Sequence, residues 1–252
     1  MGARFTFAGA VARALDGIAP QVSVVELTGS TNDDARAQAR DGAPHLSTVV
    51  SDEQLAGRGR RGRSWSAAVG ESLLASWVVR PSLPVERWPL LPLLAGVAAA
   101  EAVRARAHVA AVLKWPNDLL ADGRKLGGIL VEAEPPSFAI VGVGINVSQT
   151  SFPEQLRDTA TSLALQEAVR LDRADLLAAM LGGFADALAD PEEAIARYRE
   201  MCATLGRAVR IERTGAPPLT GIAVNLDASG ALVVEDGAGR HAVASGDVVH
   251  LR

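Results

Sequence analysis

Cysteine is nearly absent from the sequence, and signals for secretion or membrane insertion are absent too. The single cysteine, Cys202, excludes an internal disulfide and is typical of a reducing compartment. The first residues lack a basic segment followed by an apolar one, so no secretion signal is predicted. The apolar, uncharged run at residues 88–100 has 13 residues including two prolines, which is too short to span a bilayer and predicts a buried helix. We therefore expect a cytoplasmic protein without a membrane partner.

Lysine and asparagine are also scarce. Of 25 basic residues, 23 are arginine, and the two lysines are Lys114 and Lys125. A bias of this kind replaces lysine wherever any positive charge suffices, so the two that are present indicate sites that require a compact ammonium group. Three of the four asparagines, Asn32, Asn117 and Asn146, lie in the polar clusters described below.

The overall charge argues against a nucleic-acid partner. The chain has 252 residues, 48% of them hydrophobic, and a formal net charge of -4. This length allows one large domain, or one medium domain and a small one. Nucleic-acid binders usually carry positive charge across a whole face. The first twenty residues predict one short helix, residues 8–15, where a winged-helix DNA-binding module needs about three.

Positive charge is instead concentrated in residues 57–63, Gly-Arg-Gly-Arg-Arg-Gly-Arg, which we call the arginine loop. One interpretation is a solvated basic loop, and the other is a mobile loop that closes on a phosphate or carboxylate. Ordering a residue costs roughly 1–2 kcal/mol of backbone entropy. Because the loop has no apolar side chains to offset that cost, we expect it to be disordered until a ligand binds.

Turn and periodicity signals predict the remaining elements. Asp172 is a predicted helix cap, Asp122-Gly123 a hairpin turn, and residues 149–161 an irregular segment lying over the site. Strands are predicted at residues 21–27, 47–52, 72–79, 112–114, 119–121, 125–133 and 138–147, and further helices at 30–40, 90–105, 172–188 and 191–206. Short valine-rich strands after residue 206 predict a small antiparallel barrel, so the expected domains are residues 1–206 and 207–252.

Four polar clusters stand at predicted strand ends. They are Ser30-Thr31-Asn32, residues 54–65, residues 114–118, and Lys125 with Gly127 and Gly128, followed by Asn146. Helix capping alone is the alternative interpretation of Ser30 and Thr31.

The motifs in these clusters resemble those of biotin protein ligases. They are Gly-Arg-Gly-Arg-Arg-Gly-Arg-Ser-Trp (57–65), Lys-Trp-Pro-Asn-Asp (114–118), Lys-Leu-Gly-Gly-Ile-Leu-Val-Glu (125–132) and Gly-Val-Gly-Ile-Asn-Val (142–147). The resemblance implies an α/β (α+β) catalytic domain with a mixed sheet, like that of class II aminoacyl-tRNA synthetases, followed by an SH3-like β-barrel. It also implies that biotin and ATP form biotinyl-5′-AMP, from which a lysine of a biotin carboxyl carrier domain takes the biotinyl group. Mg²⁺ is expected on the ATP phosphates, with Asp118 as a possible ligand, and not in a protein cage.

The resemblance also assigns site residues. Lys125, Arg60 and Asp118 are the expected catalytic residues, with Lys125 as the main electrostatic catalyst and Asp118 as a base for the acceptor lysine. The expected biotin-binding residues are Ser30, Thr31, Asn32, Gln54, Arg58, Gly59, Arg60, Lys125, Gly127 and Gly128. The expected ATP and adenylate contacts are Arg58, Arg60, Arg61, Arg63, Trp65, Asn117, Lys125, Asn146 and Arg252.

Several alternatives are open at this point. Lys114 and Asp118 could form a structural ion pair, and Arg252 could be a frayed end. A lipoate or octanoyl ligase or transferase of the same fold is the rival enzyme, but octanoyl transfer through a thioester needs a cysteine nucleophile. Cys202, in the last predicted helix, is better interpreted as a small buried hydrophobe. A non-catalytic biotin sensor is the remaining alternative.

Overall fold

The computed structural model describes residues 2–169, 172–213 and 215–251. In these residues a seven-stranded sheet has the order β1-β2-β3-β7-β6-β5-β4. Its strands are β1 (Val22–Thr28), β2 (Thr48–Gln54), β3 (Ser72–Val79), β4 (Val112–Lys114), β5 (Asp118–Ala121), β6 (Arg124–Glu134) and β7 (Phe138–Asn146). Strands β1 and β2 are parallel and the other pairs are antiparallel, so the predicted mixed sheet is confirmed.

Helices cover both faces of this sheet. They are α1 (Gly2–Ala14), α2 (Thr31–Arg40), α3 (Leu91–Ala107), α4 (Arg173–Ala189) and α5 (Pro191–Met201). All eight residues of β3 are buried because helices pack on both of its faces, which explains its unbroken apolar sequence. The segment Val85–Ala107 is long and apolar enough to cross a bilayer, but 72% of its most apolar window is buried inside the fold.

The C-terminal unit, which we call the barrel, is a five-stranded antiparallel sheet in the described residues. Its strands are β8 (Ala208–Arg213), β9 (Ala216–Leu226), β10 (Leu232–Asp236), β11 (Gly239–Val243) and β12 (Asp247–His250), in the order β11-β10-β9-β8-β12. The barrel contacts the catalytic domain directly, since Trp115 donates its indole N–H to the carbonyl of Gly230 at 3.0 Å. The boundary at residue 206 stays a prediction, and β8 begins at Ala208.

Local signals in the sequence account for several of these elements. Asp172 caps α4 by accepting the backbone N–H groups of Ala174 and Asp175 at 3.0 and 3.1 Å. Asp122 and Gly123 both have positive φ, 50° and 70°, as the two-residue hairpin turn between β5 and β6 requires.

Two predicted helix bounds are wrong. The first helix begins at Gly2 and not at residue 8. The last helix ends at Met201, although it was predicted to run to residue 206. Cys202 and Ala203 leave the helix because they pair with β4, where Ala203 N–H donates to the carbonyl of Leu113 at 2.7 Å. A tertiary backbone pairing of this kind gives no local signal in the sequence.

Candidate active site

The N-terminus of α2 carries a buried polar cluster. Ser30, Thr31 and Asn32 are each 4% exposed. Thr31 donates its backbone N–H and its hydroxyl to Oε1 of Gln54 at 2.8 and 3.0 Å, and its hydroxyl lies 2.7 Å from that of Ser76. Ser30 makes no side-chain cap hydrogen bond, so capping does not account for its hydroxyl. The structure therefore brings together all four residues that the sequence assigns to the biotin ring.

Asn32 is fixed by two hydrogen bonds and by a neighbouring strand. Its Oδ1 accepts from the Ser76 hydroxyl at 2.6 Å, and its Nδ2 donates to Oε2 of Glu132 at 2.6 Å. A Cβ added at Gly142 would lie 2.0 Å from Asn32 Oδ1. Glycine at this position of β7 is therefore required for α2 to approach the sheet as it does.

Backbone hydrogen bonds join the two ends of the arginine loop. Gly57 O accepts from Trp65 N–H at 2.8 Å, and Gly59 N–H donates to Arg63 O at 2.7 Å. Arg61 has a φ of 56°, in the left-handed region at the tip of the loop. A Cβ on Gly57 would lie 2.5 Å from Trp65 O, so this glycine permits the close approach. The expectation that the loop is disordered without ligand stays a prediction.

Arg58 lies against two carboxylates at the α2 end of the site. It donates to Asp33 at 2.6 and 2.7 Å and to Glu132 at 3.3 Å. Hydrogen bonding from Arg58 lowers the pKa of the Asp33 carboxyl, and the pKa of Arg58 is raised by the same pair. The pair therefore favours the charged form of both groups.

Arg60 differs from Arg58 in its partners. It donates to Oδ1 of Asn117 at 3.1 Å and forms no ion pair with a carboxylate among the described residues. Burial is the main reason that the pKa of its guanidinium is lowered. A half-buried cation in this position is suited to an incoming anion. Asn117 is itself held in place, since its Nδ2 donates to Ile129 O at 2.9 Å.

Arg61 and Arg63 turn toward the barrel. Arg61 donates to the carbonyl oxygen of Glu212 at 3.0 Å and lies 3.5 Å from the Asp247 carboxylate. Arg63 donates to the same Asp247 carboxylate. Their predicted contact with the nucleotide stays a prediction.

Lys125 and Asp118 form an ion pair on neighbouring strands. Lys125 Nζ donates to Asp118 Oδ1 at 2.6 Å. Lys114 is a cross-strand neighbour of Asp118 in β4 and β5, but the ion pair forms with Lys125. Burial is the main reason that the pKa of the Lys114 ammonium is lowered.

The segment 149–161 passes beside Lys125. Lys125 N–H donates to Thr159 O at 2.7 Å, and Thr161 N–H donates to Lys125 O at 2.8 Å. Asn146 lies in the same region and donates from Nδ2 to Thr161 O at 2.9 Å. Backbone and side-chain hydrogen bonds thus fix this segment beside both residues; the sequence predicted that it lies over the site.

Trp65 packs on glycines of β6 and β7. A Cβ on Gly144 would lie 2.6 to 3.0 Å from three atoms of the indole, and one on Gly128 would lie 3.7 Å from its Cζ3. Lys125 Nζ lies 5.9 Å from the centre of the ring. The indole N–H is buried and has no hydrogen-bond partner among the described residues. Such a donor is rare in a folded protein and marks a place where a ligand acceptor could bind.

The site fits a metal that arrives with phosphates. The described residues contain no group of three His, Cys, Asp or Glu side chains arranged to hold a metal ion. Asp118 is a carboxylate at the site with a lone pair available beyond its bond to Lys125. Magnesium is commonly bound by one or two carboxylates together with substrate phosphates, which this donor set permits.

Four residues that hold the predicted ones were not assigned from the sequence. Asp33 and Glu132 bind Arg58, Ser76 binds Thr31 and Asn32, and Asp247 binds Arg61 and Arg63. Glu132 is the last residue of the 125–132 motif and Asp33 directly follows the Ser30-Thr31-Asn32 cluster, so their proximity could have been suspected. Ser76 and Asp247 carry no local signal. Arg252 lies outside the described residues.

Two family models match the chain. Residues 24–147 match the biotin/lipoate A/B protein ligase family, and residues 204–251 match the biotin protein ligase C-terminal domain. The first match contains every predicted site residue except Arg252, and the second contains the barrel.

Known proteins match over almost the whole chain. The biotin--[acetyl-CoA-carboxylase] ligase of Mycobacterium tuberculosis is 40% identical over 92% of this chain and 90% of its own length. The enzyme of the same name from Paracoccus denitrificans is 33% identical over 86% of this chain and 96% of its own length. The structure of the Aquifex aeolicus biotin protein ligase in complex with biotin and ATP superposes with a TM-score of 0.80 at 27% identity, over 92% of this chain and 99% of the other.

Proposed function

The chain belongs to the biotin protein ligases, and from this premise we propose which of its residues carry out the reaction. The enzyme joins biotin and ATP into biotinyl-5′-AMP with release of pyrophosphate, and then transfers the biotinyl group to a protein. The acceptor that we propose is a lysine of a biotin carboxyl carrier domain, and the compartment is the cytoplasm. The observation that carries the assignment is that β7 brings two parts of the site together: Asn32 packs against Gly142, and Trp65, with Lys125 beside its ring, packs against Gly144.

The α2 cluster binds the ureido ring of biotin. Thr31, Asn32 and Gln54 supply both donors and acceptors in a buried setting, as a ring with one carbonyl and two N–H groups requires. A site built from buried polar groups also discriminates strongly, because a ligand without matching groups leaves them unpaired. Lipoate has no ureido ring and would leave this cluster unsatisfied.

Lys125 and Arg60 neutralise the reacting anions. The first step brings the biotin carboxylate against the α-phosphate of ATP, so two negative groups must approach each other. We assign Lys125 to the carboxylate and the α-phosphate, and Arg60, supported by Arg58 and Gly59, to the carboxylate and later to the adenylate phosphate. Hydrogen bonds to charged groups contribute roughly 1.5–3 kcal/mol each, so two or three make up a large part of the affinity.

The nucleotide lies over Trp65 and beside the two asparagines. The unpaired indole N–H and the exposed face of the ring suit an adenine base or a phosphate oxygen. Asn117 and Asn146 flank this position. Asp118 would be the protein contact of a Mg²⁺ ion bound with the ATP phosphates, and the metal would supply further positive charge to them.

Asp118 is the proposed base for the acceptor lysine in the second step. Its carboxylate already accepts a hydrogen bond from an ammonium group, that of Lys125 at 2.6 Å. An incoming lysine presents the same group, which must lose a proton before it attacks the anhydride. In an Asp118→Ala variant, the rate of biotinyl transfer to the acceptor should fall more than the rate of adenylate formation. If that variant keeps both half-reactions at the parental rate, Asp118 is not the base.

Octanoyl transfer through a thioester would need an accessible cysteine nucleophile, and the described residues do not supply one. Cys202 is 7% exposed, and burial raises the pKa of its thiol. A thioester mechanism needs an accessible thiolate. The deciding assay is ATP–pyrophosphate exchange with biotin or with lipoate. Exchange that requires biotin confirms the ligase, lipoate-dependent exchange indicates a lipoate ligase, and no exchange with either indicates an octanoyl transferase or a sensor.

A further inference from the structure

Two arginines of the arginine loop meet one carboxylate of the barrel. Arg61 and Arg63 both lie against Oδ2 of Asp247, and Arg61 also donates to the backbone carbonyl of Glu212. We call this set the barrel contact. Asp247 has no role in the proposed chemistry. It lies in the barrel, and its carboxylate contacts the arginine loop.

Strand pairing and close packing hold the backbone of Asp247 in place. It is the first residue of β12 and pairs with Glu212 of β8. The preceding residue, Gly246, is packed so closely that a Cβ there would lie 2.3 Å from Ile211 Cγ2. The Asp247 side chain is 24% exposed in this setting. Arg61 therefore contacts both strands of the β8–β12 pair, through a carboxylate on one and a carbonyl on the other.

Charge explains why the loop needs such a partner. Four guanidinium groups lie within seven residues, and they repel one another unless anions lie between them. Arg58 is neutralised by Asp33 and Glu132 within the catalytic domain. Asp247 neutralises the other end of the loop. Arg60 lies between these two ends and donates to the neutral side-chain amide of Asn117, so its positive charge is available to bind an anionic ligand.

We propose that Asp247 is a positioning residue that binds Arg61 and Arg63 and so holds the arginine loop closed over the adenylate. This inference rests on the proposed function of the loop. It assigns the barrel a part in retaining the reactive intermediate. With the barrel contact broken, the loop opens more often and releases adenylate before the acceptor lysine arrives.

The experiment compares Asp247→Asn with Glu212→Gln in the full-length chain. Both variants remove one carboxylate from neighbouring positions on the same strand pair. The Glu212 side chain pairs with Arg210, and only its backbone carbonyl touches the loop, so it is the matched control. The rate of biotinyl-5′-AMP release is measured by chasing preformed enzyme-bound adenylate with excess unlabelled biotin and ATP. Partly exposed ion pairs are weak, so we expect release to be about three- to tenfold faster in Asp247→Asn and unchanged in Glu212→Gln.

Two further measurements separate positioning from general destabilisation. Added salt should accelerate adenylate release in the parent and much less in Asp247→Asn, because the screened interaction is already gone. Asp247→Glu, which restores a carboxylate at this position, should recover part of the retention that Asp247→Asn loses. Release at the parental rate in Asp247→Asn overturns the proposal, as does salt acceleration that is equal in the parent and in Asp247→Asn.

Failure of the proposed role of Asp247 can be distinguished from failure of the proposed function. If the parent shows no biotin-dependent pyrophosphate exchange, the assignment of the reaction is wrong and Asp247 is not at issue. If the parent exchanges and retains adenylate while Asp247→Asn retains it equally well, only the role of the barrel contact is wrong.

Discussion

Gly142→Ala tests whether the buried cluster at the start of α2 binds biotin. The new methyl carbon would lie 2.0 Å from Asn32 Oδ1 and 2.9 Å from its Cγ, well inside van der Waals contact. Gly142 does not have the positive φ that would make alanine strained, and it lies within regular strand pairing to Ser76 and Leu130. The substitution therefore acts on Asn32 and not on the backbone of β7.

The magnitude follows from the two hydrogen bonds that Asn32 must give up. The bond from the Ser76 hydroxyl joins neutral groups and contributes about 1 kcal/mol, and the bond to the Glu132 carboxylate contributes about 1.5–3 kcal/mol. Water recovers part of this when the amide moves. We expect the free energy of unfolding to fall by about 2 kcal/mol, and biotin to bind about tenfold more weakly because the ring loses one partner.

Calorimetric titration with biotin and the biotin KM in pyrophosphate exchange measure the binding effect, and thermal unfolding measures the stability effect. Gly182→Ala in α4 is the matched control, since nothing lies within 4 Å of the added Cβ. It should leave biotin affinity unchanged and stabilise the helix by about 0.4–1 kcal/mol. If Gly142→Ala binds biotin as tightly as the parent while its stability falls, Asn32 is a structural residue and the biotin ring lies elsewhere.

Three other predictions concern the loop, the thiol and the barrel. Arg60→Ala should release adenylate faster, so that biotin appears on lysines of bystander proteins, and proteolysis near Arg60 in the parent should be suppressed by biotin plus ATP; adenylate retained as tightly as in the parent, or cleavage equal with and without ligands, would contradict the loop's role. Cys202→Ala should keep both half-reactions and cost about 1 kcal/mol of stability, since the thiol is buried and has no part in the proposed reaction; loss of transfer without loss of the fold would favour the thioester chemistry. Burial, with the nearby charges of Lys114 and Arg207, lowers the pKa of His250 to about 4, so between about pH 4 and 6.5 the unfolded chain binds a proton that the folded chain does not. Stability should therefore fall as pH drops through this window, and the fall in the thermal midpoint should be smaller in His250→Gln; equal falls in parent and variant would refute the shift.

The sequence was informative where a function depends on local chemistry. The arginine loop, the Lys125 motif and the glycines at 127, 128, 142 and 144 are short patterns whose residue types have few alternative explanations. Strand bounds were predicted well where apolar runs end in turn residues, as at β3, which was predicted at its observed bounds. The α5 terminus was missed because its end is determined by pairing with β4.

The sequence did not show which charged side chains of the site pair with one another. The sequence left open whether Lys114 or another cation pairs with Asp118, and the structure selects Lys125 because β5 and β6 place the two side chains 2.6 Å apart. The resemblance gave Arg58 and Arg60 a different role from Arg61 and Arg63, but the sequence did not say which of the four are paired in the fold. In the structure, Arg58, Arg61 and Arg63 pair with carboxylates from α2, β6 and β12, and Arg60 forms no such pair among the described residues.

By itself, the sequence determined the family and the reaction and predicted the groups that perform it, because those depend on residue types in a fixed order along the chain. Only the tertiary structure decided which charge is paired and which is left for the substrate, because a charge is neutralised by whatever lies within a few ångströms, however distant in sequence. Asp247 is separated from Arg63 by 184 positions along the chain. Packing of the barrel against the catalytic domain brings them together.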